Sequence, residues 1–122
     1  MIYIGTDLVA ISRIKNLISR KGDKFINKIF SFKEQAICNN KYNSHIHFSG
    51  KFAAKEAVKK ALLNYNKQSS IFVSLKDIQI INSFDGSPYV EIDYNLLNIN
   101  KKQISITISH DKEYAISTAL IF

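Results

Sequence analysis

The chain has 122 residues, of which 46% are hydrophobic and 22% are charged. This length fits a single domain over residues 1–122, and the composition excludes a disordered or fibrous protein. Cys38 is the only cysteine, which excludes an intramolecular disulfide and a cysteine-based zinc site, so we expect a reducing, cytoplasmic location. No run reaches the roughly 18 apolar residues of a membrane span, and we expect no membrane partner.

The net charge of +7 is concentrated in the first 70 residues, which carry 13 Lys and Arg against 4 Asp and Glu. A basic surface attracts polyanions such as nucleic acid, phosphorylated cofactors or acidic proteins. The charge therefore predicts an anionic partner, but it does not choose among these classes.

The first elements are a strand and a helix. Ile2–Val9 is rich in β-forming residues and predicts a short strand that ends near Asp7. Apolar residues then recur at helical spacing between Ile11 and Ile18, and Gly22 is placed to stop that helix.

Two further helices follow. Ser31 and Glu34 have the spacing of a capping box, which predicts the start of a helix and gives Glu34 a structural role. The strongest helical pattern spans Ser44–Leu63. Its buried face is predicted to hold Phe48, Phe52, Ala53, Ala57, Ala61 and Leu62, and its exposed face Lys51, Lys55 and Lys59.

The period changes from helical to alternating at Ile71. We predict strands over Val73–Asn82 and Tyr89–Tyr94, joined by a tight turn at Asp85-Gly86-Ser87-Pro88. Ile104, Ile106 and Ile108 alternate with polar residues, and a last strand is predicted over Tyr114–Phe122. The predicted fold class is α+β, with N-terminal helices packed on a C-terminal antiparallel sheet.

Asp7 and Glu56 are the acidic residues that suggest a metal site. If they meet, they supply two hard oxygen ligands suited to Mg²⁺, and the lysines of the same helix supply positive charge for a diphosphate. Ordinary alternatives remain open: Asp7 ends the strand, Glu56 pairs with Lys60 one helical turn later, and the lysines form a solvated face. His110, before the last strand, is either a site residue or a surface histidine.

Four short segments are characteristic when they are taken together. They are Gly5-Thr6-Asp7, Lys51-Phe52-Ala53-Ala54-Lys55-Glu56-Ala57 followed by Lys60-Ala61, Asp85-Gly86-Ser87-Pro88-Tyr89, and Ile106-Thr107-Ile108-Ser109-His110-Asp111-Lys112-Glu113-Tyr114-Ala115. Their order and spacing resemble those of the holo-[acyl-carrier-protein] synthase family, and the resemblance spans essentially the whole chain.

The resemblance implies a 4′-phosphopantetheinyl transferase-like fold and activity. Such an enzyme transfers 4′-phosphopantetheine from coenzyme A to a serine of acyl carrier protein and releases adenosine 3′,5′-bisphosphate. The family is Mg²⁺-dependent and typically forms a homotrimer with sites between subunits. The expected partners are therefore acyl carrier protein, coenzyme A and further copies of this chain.

The resemblance also implies roles for individual residues. The metal-binding residues are Asp7 and Glu56, the catalytic residues Glu56 and Lys60, and the coenzyme A-binding residues Lys51, Lys60, Gly86, Pro88, His110 and Lys112. Arg13 matches a residue that receives the carrier protein. Because acyl carrier proteins are acidic, the positive charges of Arg20, Lys24 and Lys28 extend the predicted carrier-protein-binding set. The general base stays open between a metal-bound water and Glu56 acting through a water. Lys51 stands where many relatives have Arg, and Leu63-Asn64 replace a glycine that often ends this helical motif.

A small basic nucleic-acid-binding module is the alternative from another class. It would need exposed aromatic residues interleaved with the lysines for base stacking. Phe48 and Phe52 share the alanine face of the long helix, which predicts that they are buried. We therefore expect an enzyme and no nucleic-acid partner.

Overall fold

The computed structural model describes residues 1–67, 73–97 and 99–122. The helices are α1 (Ile11–Lys21), α2 (Asp23–Ile29), α3 (Phe32–Asn39) and α4 (Ser44–Tyr65). The strands are β1 (Tyr3–Ala10), β2 (Gln79–Asn82), β3 (Pro88–Glu91), β4 (Ile104–His110) and β5 (Tyr114–Ile121), and a single 3₁₀ turn spans Leu75–Asp77. The predicted α+β class is confirmed, whereas Ile71, where the period was predicted to change, lies outside the described residues.

The strands form two antiparallel sheets. The larger sheet has the order β1-β5-β4, so the N-terminal strand joins the C-terminal pair, and β2 and β3 form a separate hairpin. The register places Asp7 opposite Ser117 and Leu8 opposite Ile116. Because side chains alternate along each strand, neighbouring residues such as Asp7 and Leu8 lie on opposite faces of the larger sheet.

One face of the larger sheet packs against α4 at very short range. A Cβ atom on Gly5 would overlap the carbonyl oxygen of Ala57 and lie 2.8 Å from the amide nitrogen of Ala61. Only glycine permits this approach of β1 to the helix. Asp7, two residues further on the same strand face, is thereby brought to α4.

The opposite face of the larger sheet, which we call the outer sheet face, carries exposed apolar residues. They include Ile4 and Leu8 on β1, and Tyr114 and Ile116 on β5. Large side chains on a sheet face of a single chain leave a hydrophobic patch open to a partner.

Local signals located most helix boundaries. The capping box at α3 is confirmed: Glu34 accepts from the Ser31 amide at 2.9 Å, and the Ser31 hydroxyl accepts from the Glu34 amide at 3.3 Å. Gly22 ends α1 with a φ of 52°. The predicted long helix begins at Ser44 as expected and continues two residues beyond Leu63.

Three strand predictions were wrong in extent. β1 continues through Asp7 to Ala10, because every residue of the strand pairs with β5. The strand predicted over Val73–Asn82 shrinks to β2, since a 3₁₀ turn occupies its first half. The strand predicted over Tyr89–Tyr94 begins at Pro88 and ends at Glu91; the Asp93 carboxylate accepts the amides of residues 95 and 96 and so turns the chain.

The predicted solvated lysine face of α4 is also wrong. Lys51 and Lys55 are buried and Lys59 is half-buried. The helix is covered on this side by α3, by the segment that leads into β2 and by β2 itself. Carbonyls of that segment accept from Lys55, and the Ile80 carbonyl of β2 accepts from Lys51. Buried ammonium groups are tolerated when such acceptors are available.

None of the helices in the described part of the chain is long and apolar enough to cross a bilayer.

Candidate active site

A cavity of about 300 Å³ lies between α4, the β2–β3 hairpin and the end of β4. Four of the residues predicted to bind coenzyme A line it, namely Lys51, Gly86, Pro88 and His110. Three further polar residues line the cavity and were not predicted, namely Lys41, His47 and Asn82. One signal was available: His47 precedes Lys51 by four residues, a spacing that places both side chains on one helix face.

Lys51 forms part of the cavity wall. Its Nζ atom donates to the Ile80 carbonyl at 2.6 Å and to Asn82 Oδ1 at 2.8 Å, and Asn82 Nδ2 donates to the Gly86 carbonyl at 3.0 Å. Burial lowers the pKa of the Lys51 ammonium. These acceptors hold the ammonium at the cavity and tie the hairpin turn to it.

Two imidazoles face each other across this cavity. The ring centroids of His47 and His110 are 6.4 Å apart, with an interplanar angle of 72°. Burial, with the positive charges of Lys41, His110 and Lys51, lowers the pKa of His47. The nitrogen atoms of the lysines and histidines that line the cavity give it excess positive charge, which suits an anionic ligand such as a phosphate ester.

Asp7 and Lys60 meet at a second location. Lys60 Nζ lies 3.1 Å from Asp7 Oδ1 and donates to the Thr6 carbonyl at 2.9 Å; the Asp7 side chain is 16% exposed and that of Lys60 is 53% exposed. Lys60 thus contacts β1. The alternative considered from the sequence was an ion pair between Lys60 and Glu56. Because Glu56 lies one helical turn before Lys60, its side chain leaves α4 on the same side as the lysine that contacts Asp7.

The predicted metal ligands fit Mg²⁺ only if the substrate completes its coordination. In the described ranges, no group of three or more His, Cys, Asp or Glu residues is arranged to hold a metal ion. Asp7 and Glu56 supply two carboxylates, and Mg²⁺ commonly binds one or two carboxylates while substrate phosphates and water complete its coordination. The residues therefore fit a metal that is shared with a phosphorylated substrate.

The four predicted carrier-protein-binding residues lie together. Arg13, Arg20, Lys24 and Lys28 line a groove of about 740 Å³ between α1, α2 and α4, and Glu56 lies in the same groove. We call it the basic groove. Its apolar lining includes Leu17, Phe25 and Phe52, and the Arg13 guanidinium stands 5.9 Å above the Phe52 ring. An acidic surface with a few apolar side chains is the complementary partner.

The structure separates the predicted coenzyme A-binding residues into different places. Lys51 and Lys60 are nine residues apart, so their side chains leave α4 on opposite sides, roughly 14 Å apart along its axis. Lys112 is exposed in the β4–β5 turn and does not line the cavity. Within one chain, the cavity and the Asp7–Lys60 pair are therefore two distinct locations.

The chain is similar in sequence to one family of known proteins. The family model for the 4′-phosphopantetheinyl transferase superfamily matches residues 3–119. A holo-[acyl-carrier-protein] synthase of Thermodesulfovibrio yellowstonii is 42% identical over 118 residues, which are 97% of this chain and 96% of the relative.

Solved structures agree in fold. A holo-[acyl-carrier-protein] synthase of Helicobacter pylori in complex with coenzyme A has a TM-score of 0.80 and 32% identity, covering 98% of this chain and 99% of that one. A Bacillus anthracis holo-(acyl-carrier-protein) synthase in complex with CoA (3′,5′-ADP) has a TM-score of 0.78 and 27% identity, covering 98% and 94%. The chain therefore belongs to the 4′-phosphopantetheinyl transferase superfamily, and within it to the holo-[acyl-carrier-protein] synthases.

Proposed function

We propose that this enzyme transfers 4′-phosphopantetheine from coenzyme A to a serine of apo acyl carrier protein in an Mg²⁺-dependent reaction that releases adenosine 3′,5′-bisphosphate. The observation that carries the proposal is the position of Glu56, the one carboxylate in a groove that is also lined by five cationic side chains, namely Arg13, Arg20, Lys21, Lys24 and Lys28. This groove suits an acidic carrier protein, and a carrier bound there would have its reacting serine near Glu56 and, one helical turn away, Lys60.

The reaction is a displacement at phosphorus. The serine hydroxyl oxygen attacks the β-phosphorus of coenzyme A, and the bond from that phosphorus to the bridging oxygen breaks. The bridging oxygen leaves with adenosine 3′,5′-bisphosphate, while Glu56 accepts the serine proton through a water molecule. Negative charge shifts to the leaving group, so cationic groups beside the diphosphate lower the barrier.

Lys60 is the residue that neutralises this charge. Its exposed ammonium reaches Asp7 across the β1–α4 contact, and a diphosphate at the same place gives it a stronger anionic partner. Mg²⁺, when held by Asp7 and Glu56, supplies Lewis-acid stabilisation of the phosphoryl oxygens. Asp7 is oriented for this role by its strand, which Gly5 allows to lie against the helix.

The cavity receives the nucleotide end of coenzyme A. Lys51, His110 and the turn at Gly86 and Pro88 surround it, and His47 adds a further nitrogen. Lys112, in the exposed turn after His110, is assigned to the part of the nucleotide that extends beyond the cavity. A negative phosphate in the cavity favours the protonated form of His47 and opposes the effect of burial on its pKa.

We further propose a homotrimer with sites between subunits. Lys51 and Lys60 leave α4 on opposite sides, so one coenzyme A molecule that reaches both kinds of residue draws them from two chains. The outer sheet face provides the apolar surface that such an assembly buries, with Leu8 and Ile116 side by side on neighbouring strands. The proposed location of the enzyme is the cytoplasm, where its substrates and its single thiol are compatible.

The nucleic-acid-binding alternative has less support. Phe48 and Phe52, which would have to stack on bases, are both buried. The basic residues instead border grooves that suit a phosphorylated cofactor and an acidic protein. Thermal melting with coenzyme A and Mg²⁺, set against melting with an oligonucleotide, separates the two functions, because only the true ligand stabilises the fold.

Mass spectrometry of apo acyl carrier protein tests the proposed reaction. The carrier is incubated with this enzyme, coenzyme A and Mg²⁺, and a carrier variant with its acceptor serine replaced by alanine is the control. We expect a mass gain of one 4′-phosphopantetheine on the parent carrier and none on the control. An unchanged parent carrier would contradict the proposal.

A further inference from the structure

The β2–β3 hairpin has an edge that no described strand covers. β2 pairs with β3 on one side only, so the backbone groups of Ile80 on the other side need different partners. Helix side chains supply them. The Ile80 amide donates to Glu34 Oε2 at 2.8 Å, and the Ile80 carbonyl accepts from Lys51 Nζ at 2.6 Å. A carboxylate and an ammonium thus replace a neighbouring strand.

Glu34 is joined to a second buried charge. Its Oε1 atom lies 2.6 Å from Lys55 Nζ, and both side chains are 0% exposed. Lys55 also donates to the Leu75 carbonyl at 2.9 Å and to the Ile78 carbonyl at 2.6 Å. The three hydrogens of the ammonium therefore have three acceptors, two of them on the segment that leads into β2.

The hydrogen bonds continue from this ion pair to the cavity. Glu34 and Lys51 bind the same residue of β2, and Lys51 also binds Asn82, which in turn holds the carbonyl of Gly86. Lys51, Asn82 and Gly86 all line the cavity, whereas Glu34 and Lys55 do not. The pair is therefore connected to the ligand-binding wall without touching the ligand space.

We propose that Glu34 and Lys55 are positioning residues for coenzyme A binding. They fix the β2–β3 hairpin against α3 and α4, and so fix the positions of Lys51, Asn82 and Gly86 in the cavity wall. The inference rests on the proposed function, because coenzyme A is the ligand that it names. A buried ion pair contributes little to stability compared with apolar residues of similar size, so a role in geometry accounts for the pair better than a role in stability alone.

Glu34→Gln tests the proposal. The amide offers one acceptor oxygen, so it cannot serve the Ser31 amide, the Ile80 amide and the Lys55 ammonium together. We expect the dissociation constant for coenzyme A, measured by calorimetry, to rise about tenfold, since small displacements of binding groups have large effects. The KM for the carrier protein should stay within about twofold, because none of the charged side chains that line the basic groove contacts the ion pair.

Hydrogen exchange gives a second measurement that does not require coenzyme A. In Glu34→Gln the Ile80 amide should exchange faster, while amides in the β4–β5 ladder keep the parental rate. Ile14→Val is the matched control: this buried residue lies on α1, away from the hairpin, and the change destabilises the core without touching the ion pair. This control should be less stable than the parent, but its coenzyme A affinity and the exchange rate of its Ile80 amide should equal those of the parent.

Parental coenzyme A affinity in folded Glu34→Gln, or an equal loss of affinity in Ile14→Val, would overturn the proposal. If Glu34→Gln does not fold, it is replaced by the double variant Glu34→Gln/Lys55→Met, which leaves no unpaired buried charge. Parental coenzyme A affinity in that variant, or an equal loss of affinity in Ile14→Val, would likewise overturn the proposal. A parent enzyme that does not bind coenzyme A would refute the proposed function. The exchange rate at Ile80 would then still decide whether the ion pair holds the hairpin.

Discussion

Lys55 and Lys60 are five residues apart on α4, and their surroundings are opposite. Lys55 is fully buried, with a carboxylate and two backbone carbonyls around its ammonium, whereas Lys60 is half exposed and reaches one carboxylate on β1. The first lysine has all its hydrogens used by the protein. The second can change partner when a stronger anion arrives. This difference matches the proposed roles, in which Lys55 shapes the site and Lys60 binds the ligand.

The two glutamates repeat this contrast. Glu34 is buried and accepts hydrogen bonds from three partners, while Glu56 is half-buried and lines the basic groove. A carboxylate that is surrounded by fixed donors is held in one place. A carboxylate at a groove remains accessible to metal, water and substrate. The following variants test whether this division between buried and accessible charges is correct.

Glu56→Gln should have the largest effect on catalysis. Loss of the carboxylate removes both the predicted proton acceptor and a metal ligand, and we expect turnover to fall about 10³-fold while the free energy of unfolding changes by less than about 0.5 kcal/mol. Steady-state kinetics and urea unfolding measure the two quantities. Glu91→Gln is the control: this half-exposed carboxylate forms a 3.7 Å pair with Lys33 away from the groove, and the variant should keep full turnover.

Lys55→Met should have the largest effect on stability. The change leaves the Glu34 carboxylate buried without its counter-ion, and we expect a loss of about 3–5 kcal/mol in the free energy of unfolding. Lys60→Met, at the exposed position, should lose less than about 1 kcal/mol because a partly exposed ion pair contributes little. Urea denaturation of both variants measures the difference. Equal losses would contradict the contrast between the two lysines.

Arg13→Glu should change substrate recognition at the basic groove. We expect the KM for acyl carrier protein to rise about tenfold while the KM for coenzyme A stays the same, and the difference should shrink as salt screens the charges. Lys15→Glu makes the same charge change on α1 at a residue outside the groove, and should alter the carrier KM by less than about twofold. Equal effects of the two substitutions would show that net charge alone attracts the carrier.

Cys38 provides the smallest test. Burial raises the pKa of this thiol to about 12, so the nucleophilic thiolate is nearly absent at pH 8. We expect alkylation by iodoacetamide to be at least about 100-fold slower in the folded enzyme than in guanidinium chloride, with catalysis unaffected. Fast alkylation of the folded protein would show that the core around Glu34, Lys51 and Lys55 opens readily.

Local sequence signals predicted much of the fold. The Ser31–Glu34 capping box, the stop at Gly22 and the turn around Gly86 each depend on residues within a few positions of one another, and all are present. The motif resemblance likewise selected Arg13, and the charge of the N-terminal half selected Arg20, Lys24 and Lys28; all four line the basic groove with Glu56. Neither kind of signal required knowledge of distant contacts.

The burial of Lys51 and Lys55 could not be read in the same way. Their acceptors come from Glu34 and from residues 75–82, which are distant in sequence, so a helical pattern of lysines looks the same whether it faces water or carbonyl groups. The continuation of β1 beyond Asp7 was not predicted for a related reason. Aspartate is unfavourable in strands, and its partner Lys60 is brought near only by the fold.

Calorimetry of coenzyme A binding, with and without Mg²⁺, tests the central claim most directly, namely that Asp7 and Glu56 hold one metal ion together with the diphosphate. The parent enzyme is compared with Asp7→Asn and Glu56→Gln, which keep the side-chain shapes. We predict that Mg²⁺ tightens coenzyme A binding by at least about tenfold in the parent and by less than about twofold in either variant. An equal effect of Mg²⁺ on the parent and both variants would contradict the account.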